Sequence, residues 1–228
     1  MTAALTPPRS GAGPLSVREL TRDEDGERLH ALLWRAGPGW RMISSAVLGG
    51  GIGERAWVLN AQVSHGYRRT DPDRHLARLA RDAGVRGPGV GLMTAADVRA
   101  YGRCEDTGVQ AVATAGLGVR GWAASPVPGS AVPAGPGTVN IVAALPVALT
   151  DAALVNAVAT ATEAKVQALL DAGYDCSGTP TDAVCVAARA ERPGEEAHAF
   201  AGPRSLWGAR LARAVHGAVR AAAVTAPR

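Results

Sequence analysis

Two stretches of this chain are apolar almost without interruption, residues 108–117 and 138–145, and such runs fit strands covered on both faces. They are predicted to be central. Shorter strand-like runs occupy residues 15–20, 40–48, 56–63 and 181–188, and the second and third of these are predicted to be joined by a glycine turn at 49–53. Helical patterns lie between them. Residues 23–35 carry acids at their start, as a first helical turn favours. Asp71-Pro72 opens a helix to about Asp82, with proline in its first turn. Thr94, with Asp97 three residues on, gives an acidic form of the capping box for a short further helix. Thr150 or Asp151 caps a long helix to about Ala172, stopped by Gly173, and a last helix covers residues 206–223. Hairpin-like strand pairs with singly placed helices predict an α+β fold of mixed α/β layers. The expected domain is single, residues 15–222, with a largely apolar mixed sheet covered by helices. Residues 1–14 and 223–228 read as disordered tails. The stretch 125–137, rich in Pro, Gly and Ser, reads as a surface loop long enough to close over a ligand.

Side chains of the long helix follow one another at about 100° per residue. With Asp151 at zero, Leu154, Val155, Val158, Val166 and Leu169 share one broad arc. Asn156, Thr160, Glu163 and Gln167 form a polar wedge opposite. Lys165 falls inside the apolar arc. An ammonium buried there loses solvation, which suits it to proton transfer or to holding a carboxylate; alternatively its stem snorkels to the rim. Asn140 and Asn60 each place an amide inside an otherwise apolar strand, where it must be satisfied by backbone or by a ligand, or can polarise a carbonyl oxygen. Asp182, at the start of another apolar strand, is open to a turn role or a chemical one.

Composition narrows the classes. With 228 residues, 47% hydrophobic and 19% charged, and with 28 Gly and 15 Pro, the chain is neither disordered nor a coiled coil nor collagen-like. Its net charge of +4 comes from 24 basic residues dispersed along the chain, which is no footprint for nucleic acid. Cys104, Cys176 and Cys185 are odd in number and far apart, without CxxC or a Cys/His run, so a reduced protein without a metal site is expected. The first residues lack the basic start and apolar stretch of a secretory leader, and prolines break up the uncharged run 121–150, so no membrane segment is expected. Gly51-Ile-Gly53-Glu-Arg-Ala56 matches GxGxxA, yet a strand-like sequence follows where a dinucleotide site needs a helix.

Seven segments in order carry a resemblance: Ile43-Ser-Ser-Ala-Val-Leu-Gly-Gly-Gly51, Leu92-Met-Thr-Ala95, Thr114-Ala-Gly116, Gly137-Thr-Val-Asn-Ile-Val142, the helix segment 154–169 with Thr162-Glu-Ala-Lys165, Gly178-Thr-Pro-Thr-Asp-Ala-Val184, and Gly202-Pro-Arg-Ser-Leu-Trp-Gly208. Together they resemble the adenosylcobinamide amidohydrolase family. Val119-Arg120 departs from that pattern, where many relatives have Asn-Ala. The resemblance implies hydrolysis of the amide between the corrin propionate and aminopropanol of adenosylcobinamide. Its products are adenosylcobyric acid and 1-amino-2-propanol, in a cytoplasmic corrinoid-salvage step feeding cobalamin synthesis. It implies no cofactor and a small-molecule corrinoid as partner, with no nucleic acid or membrane. The sequence does not fix whether copies form a homo-oligomer.

Amide hydrolysis needs an activated nucleophile, oxyanion stabilisation and a proton for the amine. The candidate catalytic residues are therefore Lys165, Asp182, Glu163 and Asn140: Glu163 or Asp182 as base, Lys165 on the oxyanion or the amine, Asn140 in the oxyanion hole. A covalent route through Thr138 or Thr181 with Lys165 as base competes. Glu163 and Lys165 lie about 200° apart on their helix, so of the two Glu163 is the first to give up. The candidate substrate-binding residues are Asn60 and, within the matching motifs, Ser45, Gly49, Gly50, Gly51, Thr114, Gly116, Thr138, Thr179 and Thr181, with Trp122 and Trp207 open to stacking on the macrocycle or to an ordinary core role. A non-catalytic corrinoid carrier is the alternative of a different class.

Overall fold

Strands and helices alternate irregularly in the computed structural model, which describes residues 15–125 and 137–226. In chain order they are β1 (Val17–Glu24), β2 (Glu27–Trp34), β3 (Trp40–Ser44), β4 (Gly51–Glu54), β5 (Val58–Gln62), α1 (Pro72–Asp82), β6 (Val90–Thr94), β7 (Gly102–Asp106), β8 (Val109–Gly116), β9 (Thr138–Leu145), α2 (Asp151–Asp171), β10 (Ala183–Arg189) and α3 (Leu206–Thr225). One sheet has the order β1-β2-β5-β6 and the other β4-β3-β10-β9-β8-β7. Both are mixed, because β5–β6 and β9–β10 run parallel while the remaining pairs are antiparallel. The α+β expectation holds.

Side-chain alternation sorts the core into three slabs and gives a four-layer stack. Val139, Ile141, Ala143 and Leu145 of β9 face α2 and α3, whereas Val142 and Ala144 face the four-stranded sheet. The far side of that sheet packs Leu33 and Leu59 against Leu76 and Ala80 of α1. The layers thus run α2/α3, six strands, four strands, α1. The two apolar runs are β8 and β9, interior strands of the larger sheet, with β9 buried at every position.

Four expectations need correction. Residues 23–35 form no helix: Asp25 and Gly26, at φ 52° and 79°, make a two-residue turn between β1 and β2, with Glu24 facing Glu27. An Asp-Gly pair suits that turn because both of its central residues need positive φ, and β2 is buried on both faces, which erased the alternation a strand usually shows. Residues 40–48 and 56–63 are not partners: β3 lies in the larger sheet and β5 in the smaller, and the glycine run itself supplies strand β4, in register with β3. After Thr94 there is a turn, where Thr94 Oγ1 accepts from Ala96 N and Asp97 Oδ1 from Arg99 N. The apolar arc assigned to α2 is rotated: its buried face is Ala153, Ala157, Thr160, Ala161, Ala164 and Ala168 with Leu154, Lys165 and Leu169, while Val155 is 57% exposed. Alanine lets the helix sit close to the sheet and to α3, and that close packing outweighs the larger valines.

The strand β7 was not anticipated. By contrast, α1 spans the expected residues, and the α2 cap is Thr150, whose Oγ1 accepts from Ala153 N at 3.2 Å. The last helix continues to Thr225, two residues past its expected end. The tail 1–14 and most of the loop 125–137 lie outside the described residues.

One buried group ties the small sheet to α1 and sets an acid limit. His75 is 1% exposed, with Nδ1 3.0 Å from Tyr67 Oη and Nε2 2.7 Å from Glu24 Oε1, close but not aligned as a hydrogen bond. Burial holds His75 below its ordinary 6.5 despite Glu24, and the charges of Arg69, Arg78 and Arg22 push the same way. For Glu24 burial works upward, but the Arg22 hydrogen bond and the charges of His75, Arg22 and Arg78 hold it below its ordinary 4.5. Below about 6.5 the unfolded chain therefore binds a proton that folded His75 refuses, so stability falls as the pH drops, and Glu24 adds a loss of the same sign in stronger acid. The thermal midpoint should decline from pH 7 to pH 5, and His75→Gln should flatten that slope; an equal slope in the variant would remove His75 from the account.

Candidate active site

The rotation of α2 decides where its one basic side chain goes. Lys165, the single lysine among 24 basic residues, is 7% exposed on the sheet-facing side of the helix. Asp182 precedes β10, in a turn that begins at Gly178. Lys165 Nζ donates to Asp182 Oδ2, and both side chains are largely buried. The two oxygens of Asp182 are used differently. Oδ1 accepts from Val139 N at 2.9 Å and from the Thr179 hydroxyl, and Thr179 N straddles both oxygens at 3.2 Å. Oδ2, with Lys165 and a shared Thr179 N, is the less committed of the two oxygens, and Lys165 has two N–H donors without a partner among the described residues.

Gly178 lets the backbone run against this pair. Its φ is +153°, and a Cβ there would lie under 3.0 Å from both Asp182 Oδ2 and Lys165 Nζ. Gly178→Ala should push the two groups apart and lower turnover roughly 10²-fold, the scale of losing one preorganised donor. Unchanged steady-state activity would show that they need not meet.

Asp182 opens on a cleft of about 310 Å³, whose wall includes Ser45, Met93, Asn140 and Thr181. Ser45 is exposed there; its Oγ accepts from Val184 N at 3.1 Å, leaving its own hydrogen to give. Thr181 Oγ1 donates to Gly137 O at 2.8 Å, so the 2.6 Å contact with Thr138 Oγ1 is donated by Thr138. The hydroxyls form a chain ending on a carbonyl, and neither is hydrogen-bonded to Lys165.

Alternation in β5, β8 and β9 turns Asn60, Thr114 and Asn140 into the space between the sheets. Asn140 Nδ2 donates to Asn60 Oδ1 at 2.8 Å and to Met93 O at 3.0 Å, and Asn60 Nδ2 donates to Thr114 Oγ1 at 3.0 Å. Both Asn140 N–H groups are spent.

The other expected residues separate. Glu163 is exposed on the opposite side of α2, and Thr179 serves Asp182. Gly49 borders a different cleft, of about 660 Å³, with Trp57, Arg55, Arg81 and Arg86, while Gly50 and Gly51 border neither. Gly116 ends β8 opposite Thr138. Trp122, 46% exposed, lies beside the bridge from Gly121 to Gly178, near the ion pair. Trp207 is at the other end of the sheet, where its Nε1 donates to His198. Cys185 is ruled out as a nucleophile because burial pushes its thiol up to about 12, and burial raises Cys176 as well. Among the described residues no group of His, Cys, Asp and Glu has metal-holding geometry, and no helix is long and apolar enough to cross a membrane. Sequence reasoning missed Met93 O and Gly178 as parts of the site. Backbone carbonyls leave no trace in a sequence, but a glycine at the head of a Thr-Pro-Thr-Asp turn does.

A buried ammonium–carboxylate pair beside a cleft with hydroxyl groups is equipment for acyl transfer, since it can polarise a carbonyl and move a proton. The model of the adenosylcobinamide amidohydrolase family matches residues 16–226, and the chain belongs to that family, whose members are hydrolases acting on an amide. It is similar to the adenosylcobinamide amidohydrolase of Methanosarcina mazei, 35% identical over 143 residues, 63% of this chain and 67% of the relative. It is also similar to that of Halobacterium salinarum, 49% identical over 87 residues, 38% of this chain and 36% of the relative.

Proposed function

We propose that the chain hydrolyses the amide linking the corrin propionate to aminopropanol in adenosylcobinamide. The products are adenosylcobyric acid and 1-amino-2-propanol, and the reaction returns a scavenged, incomplete corrinoid to cobalamin synthesis in the cytoplasm. The observation that carries this reading is the Lys165–Asp182 pair, whose carboxylate residue lines the cleft, within the region matched to the family. A cleft of about 310 Å³ is at the small end of ligand pockets. It suits the amide-bearing arm, with the corrin ring lying across its mouth, where exposed Trp122 offers a face for stacking.

The roles follow from free bonding capacity. Asp182 Oδ2 takes a proton from water as the hydroxide adds to the acyl carbon. The spare N–H groups of Lys165 stabilise the oxyanion, joined by the Ser45 hydroxyl. Asp182 then returns the proton to the departing nitrogen, so the C–N bond breaks with acid and amine as products. Glu163 takes no part. The Thr138–Thr181 chain ends on a carbonyl and has no base hydrogen-bonded to it among the described residues, which favours direct attack by water over a threonine ester.

Incubation of the purified protein with adenosylcobinamide, followed by chromatography for both products, tests the reading. Equal amounts of acid and amine are expected. Binding without release would overturn it in favour of a carrier, which needs no ion pair at its cleft.

A further inference from the structure

Asn140 carries a buried acceptor that no described residue uses. The residue is 1% exposed, and its Oδ1 has no hydrogen-bond partner among the described residues. Its orientation is fixed, because one of the two groups receiving Nδ2 is the backbone carbonyl of Met93, which can only accept. The other, Asn60, is itself held by Thr114. An amide with both N–H groups committed cannot donate to an oxyanion. What it offers is its oxygen, and the residue lines both the cleft that also holds Asp182 and Ser45 and the small void beside Val112 and Val142.

We propose that Asn140 Oδ1 accepts the N–H of the scissile amide, and that Asn60 and Thr114 are positioning residues that hold it there. The inference rests on the proposed reaction and specifies what the site reads: a secondary amide, as against an ester of the same acid. An acceptor on the N–H fixes the rotation of the nitrogen as it becomes pyramidal, so that its emerging lone pair points toward the proton held on Asp182. A buried polar atom left unpaired by the wrong substrate is the most discriminating specificity device available to such a site.

The experiment compares adenosylcobinamide with its ester analogue, in which oxygen replaces the amide N–H, for wild type, Asn140→Ala and Thr114→Val. Wild type is expected to cleave the amide at least as efficiently as the intrinsically more reactive ester. Asn140→Ala should lose roughly 10²-fold in kcat/KM on the amide and under about threefold on the ester. Thr114→Val, nearly isosteric and expected to fold even if Asn140→Ala does not, should lose about tenfold on the amide alone. Equal losses on both substrates overturn the inference and leave the reaction standing. So does an unchanged amide preference in the variants, the result expected if a water in the small void beside Val112 and Val142 is the donor to Oδ1. A wild-type protein that cleaves neither substrate overturns the reaction and the inference with it.

Discussion

Lys165→Met is expected to lower kcat on adenosylcobinamide by roughly 10³-fold or more while leaving the thermal midpoint unchanged or slightly raised. The rate loss follows from removing the group that meets the oxyanion, for which a single preorganised donor is already worth about 10²–10³. The stability result follows from burial. Lys165 is 7% exposed, and taking an ammonium out of water costs several kcal/mol, which its ion pair only partly offsets. Methionine fills a similar volume at no such cost. Asp182 stays satisfied without Lys165, because Val139 N, Thr179 N and the Thr179 hydroxyl still donate to it. Lys165→Arg should be no rescue: the planar guanidinium is wider than an ammonium, and the backbone at Gly178 closes over the space it would need. Amine release and a thermal melt check both statements. A Lys165→Met variant with wild-type turnover would remove Lys165 from the chemistry.

The importance of Lys165 is partly legible from periodicity, which puts it on a buried arc, although the arc that hydrophobicity predicts lies about a quarter-turn from the observed one. The error has a physical source. Hydrophobicity picked out Val155 and Val166, whereas the helix packs through Ala157, Ala161, Ala164 and Ala168, whose small size and not their transfer energy makes them the contact face. A stronger signal was in the composition: a chain that uses arginine at every other basic position spends its one lysine on a buried site, where a compact ammonium fits and a planar fork does not. Strand order was not legible. The separation of β3 and β5 into different sheets depends on pairings with β10 and β6, far away in sequence, and no local pattern encodes them. The same holds for Asn60, Thr114 and Asn140, each of which reads as an isolated polar residue in a strand. Only the stacking of the two sheets turns them into one hydrogen-bonded group, and only then does it become apparent which atom is left without a partner.

Asp182→Ala should be the most damaging single change to the fold at this site, and the contrast with Asp182→Asn shows why. Alanine leaves a buried ammonium without a counter-ion and strips the acceptor from Val139 N and Thr179 N, for an expected loss of about 3–5 kcal/mol. For a domain of this size that corresponds to a fall in midpoint of roughly 6–20 °C. Asparagine can keep its oxygen toward Val139 N and the Thr179 groups, but must then point its NH₂ at Lys165. It should cost less stability than alanine and still abolish turnover, since an amide takes no proton from water. The second substitution that relieves the conflict is Lys165→Met. In the Asp182→Ala background it should restore most of the lost midpoint, because it removes the unpaired charge, while activity stays absent. A non-additive stability cycle with no recovery of turnover is what a pair acting as a unit produces; additive losses in stability would mean that the two groups are buried side by side without depending on one another.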